Sequence, residues 1–387
     1  MFEDADVVAL IKKAGAIIVC TTNTSEMCMW YESSNTIYGR TSNPYDSRCT
    51  SGGSSGGQGA LVGAAAFPFA VGSDLAGSIR IPAYFNGIFG HKTSRNIISQ
   101  KGIHPQAKGP QMDLYAMGPM CRYAEDLVPM LKVLAGPNLH LLSLDAKDDG
   151  LENMILKEYL FVHVDLRNLR IFYMTEIDTI TSPRVDHELK ECIHEITKYF
   201  RTEYDIMCYK LDLEYMHWAL SIWLDDMDAP GSPSFGQEIC NLEGEVNPVL
   251  ELFKWSFGQS NHTYPALTLA LVEKFLHRMG TDHERQYVKS MGQTLYRQLE
   301  DLLSNLAPPI NKKLTDSEAD NVVDILSSDD FHWSDRFSNN RRRCEAVFLF
   351  PPHPVLPPYH NQSCLTPFTF QYTAIFNSLG LPVTCCP

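Results

Sequence analysis

Two glycine-rich turns, each carrying a serine, and the small apolar stretch between them constrain this chain more than any other feature. The first turn is Gly52-Gly53-Ser54-Ser55-Gly56-Gly57, and the second runs Gly72-Ser73-Asp74-Leu75-Ala76-Gly77-Ser78-Ile79-Arg80. Residues 58–67 have the composition of a buried helix, and Phe69-Ala70-Val71 reads as a short buried strand. A helix followed by a strand brings the chain back on itself, so Ser54 and Ser78 can meet. Glycine there leaves room for a carbonyl group and lets backbone N–H groups aim at it. On the residues alone three readings stand side by side: a flexible linker, a phosphate-cradling loop and a catalytic turn. The apolar stretch that follows at once weighs against a linker. A Walker-type loop needs a Lys-Ser or Lys-Thr that these glycines lack.

The rest of the chain alternates short apolar strands with helices, the pattern of an α/β fold. Asp4 and Asp6 are placed to cap a first helix with Val7, Val8, Leu10 and Ile11 on its apolar face, and residues 16–20 read as a buried strand. Residues 124–135 form an amphipathic pattern and residues 169–173 a third strand. Pro183 is expected to open a helix on Val185, Leu189, Cys192, Ile193, Ile196 and Phe200. Helical patterns continue through residues 266–277 and 285–303, and residues 347–350 resume as a strand. Residues 305–344, with Pro308-Pro309 and an acidic and basic mixture of little periodicity, are expected to form an insertion. No internal repeat is visible.

Composition narrows the partners. A net charge of −14 argues against nucleic acid, whose phosphates need clustered Lys and Arg, and the only basic run is Arg341-Arg342-Arg343. The longest apolar run, residues 60–72, contains Pro68 and is too short to cross a bilayer. Eleven cysteines without a C-x₂-C pair, and no visible signal peptide, read as reduced thiols. The expected location is therefore cytoplasmic or on an intracellular membrane surface. His91, His353 and His360 suggest a triad, but no strand–G-x-S-x-G elbow accompanies them.

The two serine turns, with Ile79-Arg80-Ile81-Pro82 after the second, resemble the amidase signature family. Thr22-Asn23-Thr24-Ser25-Glu26, Asn43-Pro44, Gly90-His91-Lys92 and Gly118-Pro119-Met120-Cys121-Arg122 are similar to its flanking landmarks in the same order. Residues 27–35 and 122–127 look like the vertebrate branch that acts on fatty-acid amides. The resemblance covers most of residues 5–304 and 346–387. It implies one α/β domain, a twisted mixed sheet covered by helices on both faces. It also implies hydrolysis of fatty-acid amides by a serine–serine–lysine mechanism, with no metal or organic cofactor. Esterase or broad amidase activity, and a catalytically dead binding protein, are the alternatives. A small lipid amide is the implied partner. Membrane contact is expected through a segment ahead of Met1, and oligomeric state is left open.

Carried over residue by residue, Ser78 is the nucleophile and Ser54 the bridging serine, preceded in the family by a cis peptide bond. Backbone N–H groups of Leu75, Ala76, Gly77 and Ser78 form the oxyanion hole. Cys28 offers its carbonyl to the substrate N–H, with Met27 and Met29 beside it. Those two methionines read as core packing first, with the lining of an acyl pocket as the alternative. Asp74 and Arg80 read either as an ordinary ion pair on a turn or as the brace of the Ser78 loop. Four departures accompany the likeness. The family's lysine falls ahead of Met1, and the chain ends where further strands of the family's sheet should begin, so it is expected to be truncated at both ends and poorly active. Ala76 stands where glycine is usual, a strained position if φ is positive. The insertion at 305–344 has no counterpart.

Overall fold

The apolar spacing of Val7 and Ile11 produces a first helix, α1 (Asp6–Lys13), in a computed structural model that describes residues 3–136, 166, 169–277, 281–303 and 345–387. Neither aspartate caps it. Ala5 is the N-cap, and Asp6 sits inside the first turn and accepts a hydrogen bond from Ser99 Oγ at 2.7 Å. The strand expected at residues 16–20 does not form. Ile17 is 87% exposed, Ile18 and Val19 are exposed beside it, and no strand pairs with them among the described residues. An apolar run becomes a strand only where a neighbour supplies ladder hydrogen bonds and cover.

The two serine turns sit at the ends of a helix–strand unit. Helix α2 (Gly56–Gly63) follows the first, strand β1 (Phe69–Asp74) leads into the second, and α3 (Arg80–Phe85) leaves it. Strands β2 (Phe89–Lys92) and β3 (Ala116–Cys121) and helix α4 (Leu127–Ala135) come next. Then follow β4 (Leu169–Tyr173), α5 (His187–Tyr204), β5 (Met207–Lys210), α6 (Ala219–Met227) and α7 (Phe235–Ile239). Helices α8 (Pro248–Ser256), α9 (Tyr264–His277) and α10 (Asp282–Leu303) precede β6 (Glu345–Leu349), α11 (Gln371–Ser378) and β7 (Val383–Cys385). The expected insertion at 305–344 lies outside the described residues.

Helix α5 begins at His187 rather than at Pro183. Asp186 donates its N–H to Pro354 O and accepts from Leu356 N–H with its carboxylate, and residues 183–186 carry no helix or strand. Ile193 and Thr197 face inward, while Cys192 and Ile196 are exposed.

The fold class is α/β, with parallel and antiparallel pairing divided between two principal sheets. One is antiparallel in the order β1-β3-β2-β7, with Gly72 opposite Gly118 and His91 opposite Thr384. The other is parallel in the order β5-β4-β6, with Ile171 between Cys208 and Val347. Helix α11 belongs to the core throughout. Tyr372, Ile375 and Phe376 pack with the parallel sheet's Phe172 and Tyr209, while Phe370 and Ala374 pack with Trp223, Ile81 and Phe85.

Inside the antiparallel sheet, β3 and β2 approach so closely at Gly118 that a Cβ there would stand 1.8 Å from His91 O. A backbone oxygen within a ladder has nowhere to retreat. Gly118→Ala is therefore expected to destabilise the chain by about 3 kcal/mol, the upper part of the overpacking range. A urea midpoint unchanged from the parent would contradict this.

Candidate active site

Short, local bonds build the first turn. Ser33, fully buried, donates Oγ–H to Ser54 O at 2.9 Å and accepts Gly56 N–H at 2.9 Å, and Gly57 N–H reaches Asn23 O at 3.1 Å. The Gly53–Ser54 peptide is cis. Ser55 N–H donates to Ser78 O at 3.2 Å, which ties the first turn directly to the second. Ser54 is buried and Ser78 half-buried, and both line one cavity.

That cavity also takes in Met27, Cys28, Met29, Leu75 and Ala76, with Trp223, Leu269 and Phe370 among its apolar walls. Its empty space is about 920 Å³ with the open mouth included. Polar side chains on the wall are few and include Gln111, Tyr115 and Glu238. Burial pushes the Tyr115 hydroxyl well above its ordinary range, and burial also raises Glu238, partly offset by Lys108. No lysine is among the described residues that line the cavity.

Met27 and Cys28 both adopt positive φ, 49° and 58°, uncommon for residues with a side chain. The turn is held by Cys28 N–H to Ser25 O and Met29 N–H to Glu26 O, each 3.0 Å. The Glu26 carboxylate in turn accepts Thr263 N–H at 2.6 Å and pairs with His262 Nδ1 at 2.8 Å, pinning the turn to the start of α9. Burial pushes the Cys28 thiol up, against hydrogen bonds with Ser54 and Thr24 that pull it down. Cys28 is thus a neutral thiol beside the Ser54 hydroxyl.

Asp74 braces the second turn. Its carboxylate, wholly buried, accepts from Gly77 N–H at 2.8 Å, Ile79 N–H at 3.1 Å, Arg80 Nε at 2.9 Å and Arg80 Nη2 at 2.8 Å. Arg80 also donates Nη1–H to Thr373 O at 2.7 Å and reaches Asn377 Oδ1. Burial alone would raise the Asp74 pKa, but the Arg80 charge and the donated hydrogen bonds override it and hold it to about 2. The pair is a brace of the Ser78 loop, not a surface ion pair.

One expectation for this turn needs correction. The Gly77 N–H is committed to Asp74, so it does not join the other donors. The N–H groups of Leu75, Ala76 and Ser78 have no acceptor among the described residues. Gly77 has φ +130°, and a Cβ there would stand 2.1 Å from Thr373 Oγ1, so only glycine fits. Ala76 is not among the residues at positive φ, which removes the strain expected of it.

The three histidines lie elsewhere. His353 is buried between Val355 O at 3.0 Å and Thr369 Oγ1 at 2.9 Å, His91 contacts Thr384 Oγ1 at 2.8 Å, and His360 pairs with Glu32 at 2.9 Å. None of them lines the cavity. Burial lowers both His91 and His353 to about 4, so each is neutral at pH 7. Ser33, Trp223, Thr373 and Asn377 support the site without having been singled out for it. Only Ser33 falls in a stretch the sequence marked, and the others are distant in the chain.

Comparison with known proteins fits this geometry. The family described as Amidase matches residues 2–312. Fatty-acid amide hydrolase 2-A of Danio rerio is 38% identical over 99% of this chain and 62% of its own length. Fatty-acid amide hydrolase 2 of Homo sapiens is 39% identical over 99% of this chain and 63% of its own. The chain thus spans less than two thirds of these relatives. Among solved structures, a fatty acid amide hydrolase superposes with TM-score 0.63 at 18% identity, covering 98% of this chain and 55% of that one. A bacterial aryl acylamidase of the amidase signature family gives TM-score 0.58 at 16% identity, covering 98% of this chain and 68% of that one. The ten described cysteines are free, and no described helix is long and apolar enough to cross a membrane.

Proposed function

This chain belongs to the amidase family, and from that membership we propose that it hydrolyses the carboxylic amide bond of fatty-acid amides through an acyl-enzyme on Ser78. The observation that carries the reading is the shared cavity. Ser54 and Ser78 line it together, and next to them the turn leaves the N–H groups of Leu75, Ala76 and Ser78 without acceptors.

The steps follow from what an amide requires. Ser78 Oγ attacks the carbonyl carbon while its proton passes to Ser54 Oγ and Ser54 gives its own proton to the base that the family resemblance assigns beyond it, because an uncharged hydroxyl is a weak nucleophile. The carbonyl oxygen becomes an oxyanion facing the Leu75, Ala76 and Ser78 N–H groups. One such donor is worth about 3 kcal/mol of transition-state stabilisation. The Cys28 carbonyl receives the substrate N–H and so orients the nitrogen. Collapse of the intermediate breaks the C–N bond. The leaving nitrogen takes a proton by way of Ser54, departs as the amine, and water then releases the fatty acid from Ser78.

The family resemblance assigns the group beyond Ser54 to a neutral lysine, which burial would depress towards working pH. Among the described residues no lysine lines the cavity, and Cys28, a neutral thiol, is the titratable neighbour of Ser54.

The walls bear on substrate. Met27, Met29, Leu269 and Phe370 offer apolar contact, and each methylene buried against them is worth about 0.8 kcal/mol. An oleoyl amide is therefore expected to exceed a short aryl amide in kcat/KM by about 100-fold or more. Equal turnover of the two would replace the fatty-acid reading with a broad amidase. Binding of the oleoyl amide without turnover would contradict hydrolysis by this chain and leave it a lipid-amide binding protein.

A further inference from the structure

We infer that Trp223, Thr373 and Asn377 are positioning residues for the turn before Ser78, each setting the direction of one peptide plane: Asn377 and Trp223 orient the oxyanion donors Leu75 and Ala76 N–H, and Thr373 orients the plane whose Gly77 N–H is held on Asp74. The inference rests on Ser78 being the nucleophile of the proposed reaction.

A trans peptide unit is planar, and its C=O and N–H point in opposite directions. Wherever a carbonyl of this turn is anchored, the next residue's N–H is aimed the other way. The peptides from Asp74 to Ser78 are not among the cis bonds, so the rule applies to all four. Asn377 Nδ2 donates to Asp74 O at 3.0 Å, which directs Leu75 N–H. Trp223 Nε1 donates to Leu75 O at 3.1 Å, which directs Ala76 N–H. Thr373 Oγ1 donates to Ala76 O at 2.6 Å, a hydrogen shared with Phe370 O at 2.8 Å, which directs Gly77 N–H on to Asp74 Oδ1. The start of α3 completes the set, with Ile81 N–H on Gly77 O at 2.7 Å directing Ser78 N–H.

Every carbonyl in the turn is thus tied outward. Three of the four ties are side chains from α6 and α11, elements far away in the chain. Leu75, Ala76 and Ser78 N–H are the groups left without an acceptor, and Leu75, Ala76 and Ser78 all line the cavity. An oxyanion hole gains most when its donors are already oriented before charge develops. The ties supply that orientation without touching substrate through the same atoms. Trp223 lines the cavity with its ring, but its Nε1–H is spent on Leu75 O.

Trp223→Phe keeps a smaller aromatic ring against Phe370 and removes the donor. Thr373→Val keeps the shape and removes the hydroxyl, and Thr373→Ser restores it. Both Trp223→Phe and Thr373→Val are expected to lower kcat for an oleoyl amide by roughly 10- to 100-fold with KM within about threefold of the parent, and Thr373→Ser to recover most of the loss. Crystal structures of the full chain carrying each variant are expected to show the Leu75–Ala76 plane rotated in Trp223→Phe and the Ala76–Gly77 plane in Thr373→Val. Planes that stay in place overturn the inference, whatever the rates. Rotated planes with unchanged kcat overturn it too. If the unmodified chain hydrolyses no amide, the functional reading fails, and the plane orientations alone then decide this one.

Discussion

Ser78→Ala will lower turnover of an oleoyl amide by roughly 10⁴-fold or more while leaving the fold and substrate binding intact. The substitution removes one hydroxyl from a half-buried residue at the cavity wall. The Ser78 backbone is unchanged, so its carbonyl still accepts Ser55 N–H and its own N–H remains a donor. Apolar contact with Met27, Met29 and Phe370 is untouched, so an amide should bind with little change. What disappears is the atom that becomes bonded to the acyl group. Ser54→Ala should act differently, slowing acylation while leaving Ser78 able to react with an activated phosphorylating probe. Steady-state kinetics and thermal melting of both variants separate the cases. Ser78→Ala turnover near that of the parent would place the nucleophile elsewhere.

Arg80→Met will cost about 3–5 kcal/mol of stability, the range for removing one partner of a buried ion pair. Arg80 and Asp74 are 1% and 0% exposed, and the guanidinium satisfies both carboxylate oxygens as well as Thr373 O and Asn377 Oδ1. Methionine fills much of the space but leaves a buried carboxylate short of two donors and its counter-charge. The effect carries a pH signature. Asp74 titrates at about 2 in the folded chain, against about 3.9 when unfolded. Its contribution is therefore complete above about pH 4 and is lost as pH falls towards 2, an amount of about 2 kcal/mol. Urea unfolding of the parent should show that acid limb, and in Arg80→Met it should flatten. A variant within about 1 kcal/mol of the parent, with an unaltered acid limb, would mean that the pair braces nothing.

What could be read from the chain, and what could not, divides by distance along it. Ser54, Ser78, Asp74 and Arg80 lie within one helix–strand unit, so glycine spacing and small apolar residues sufficed to bring them together. The extended run at residues 16–20 misled because Ile17, Ile18 and Val19 carry strand composition without a strand beside them. Pro183 misled because Asp186 bonds to residues 354 and 356, far away in sequence, and no helix starts before His187. Helix α11 gave no warning at all. Gln371, Thr373 and Asn377 would ordinarily mark a solvent face, yet all three are buried, and Thr373 and Asn377 bond to the turn before Ser78. Polar side chains in a core become intelligible only once their partners are known, and here those partners stand some 300 positions upstream. The commitment of Gly77 N–H to Asp74 was hidden for a similar reason, since a glycine's hydrogen bond leaves no mark in residue types.

Site-resolved labelling with a lipid-like fluorophosphonate, followed by peptide mass mapping of the full chain, tests the central claim most directly. The account predicts a single covalent adduct on Ser78, suppressed by an excess of oleoyl amide and absent from Ser78→Ala. An adduct on Ser54 or Cys28 in its place, or none at a probe concentration that labels an intact amidase, would contradict it.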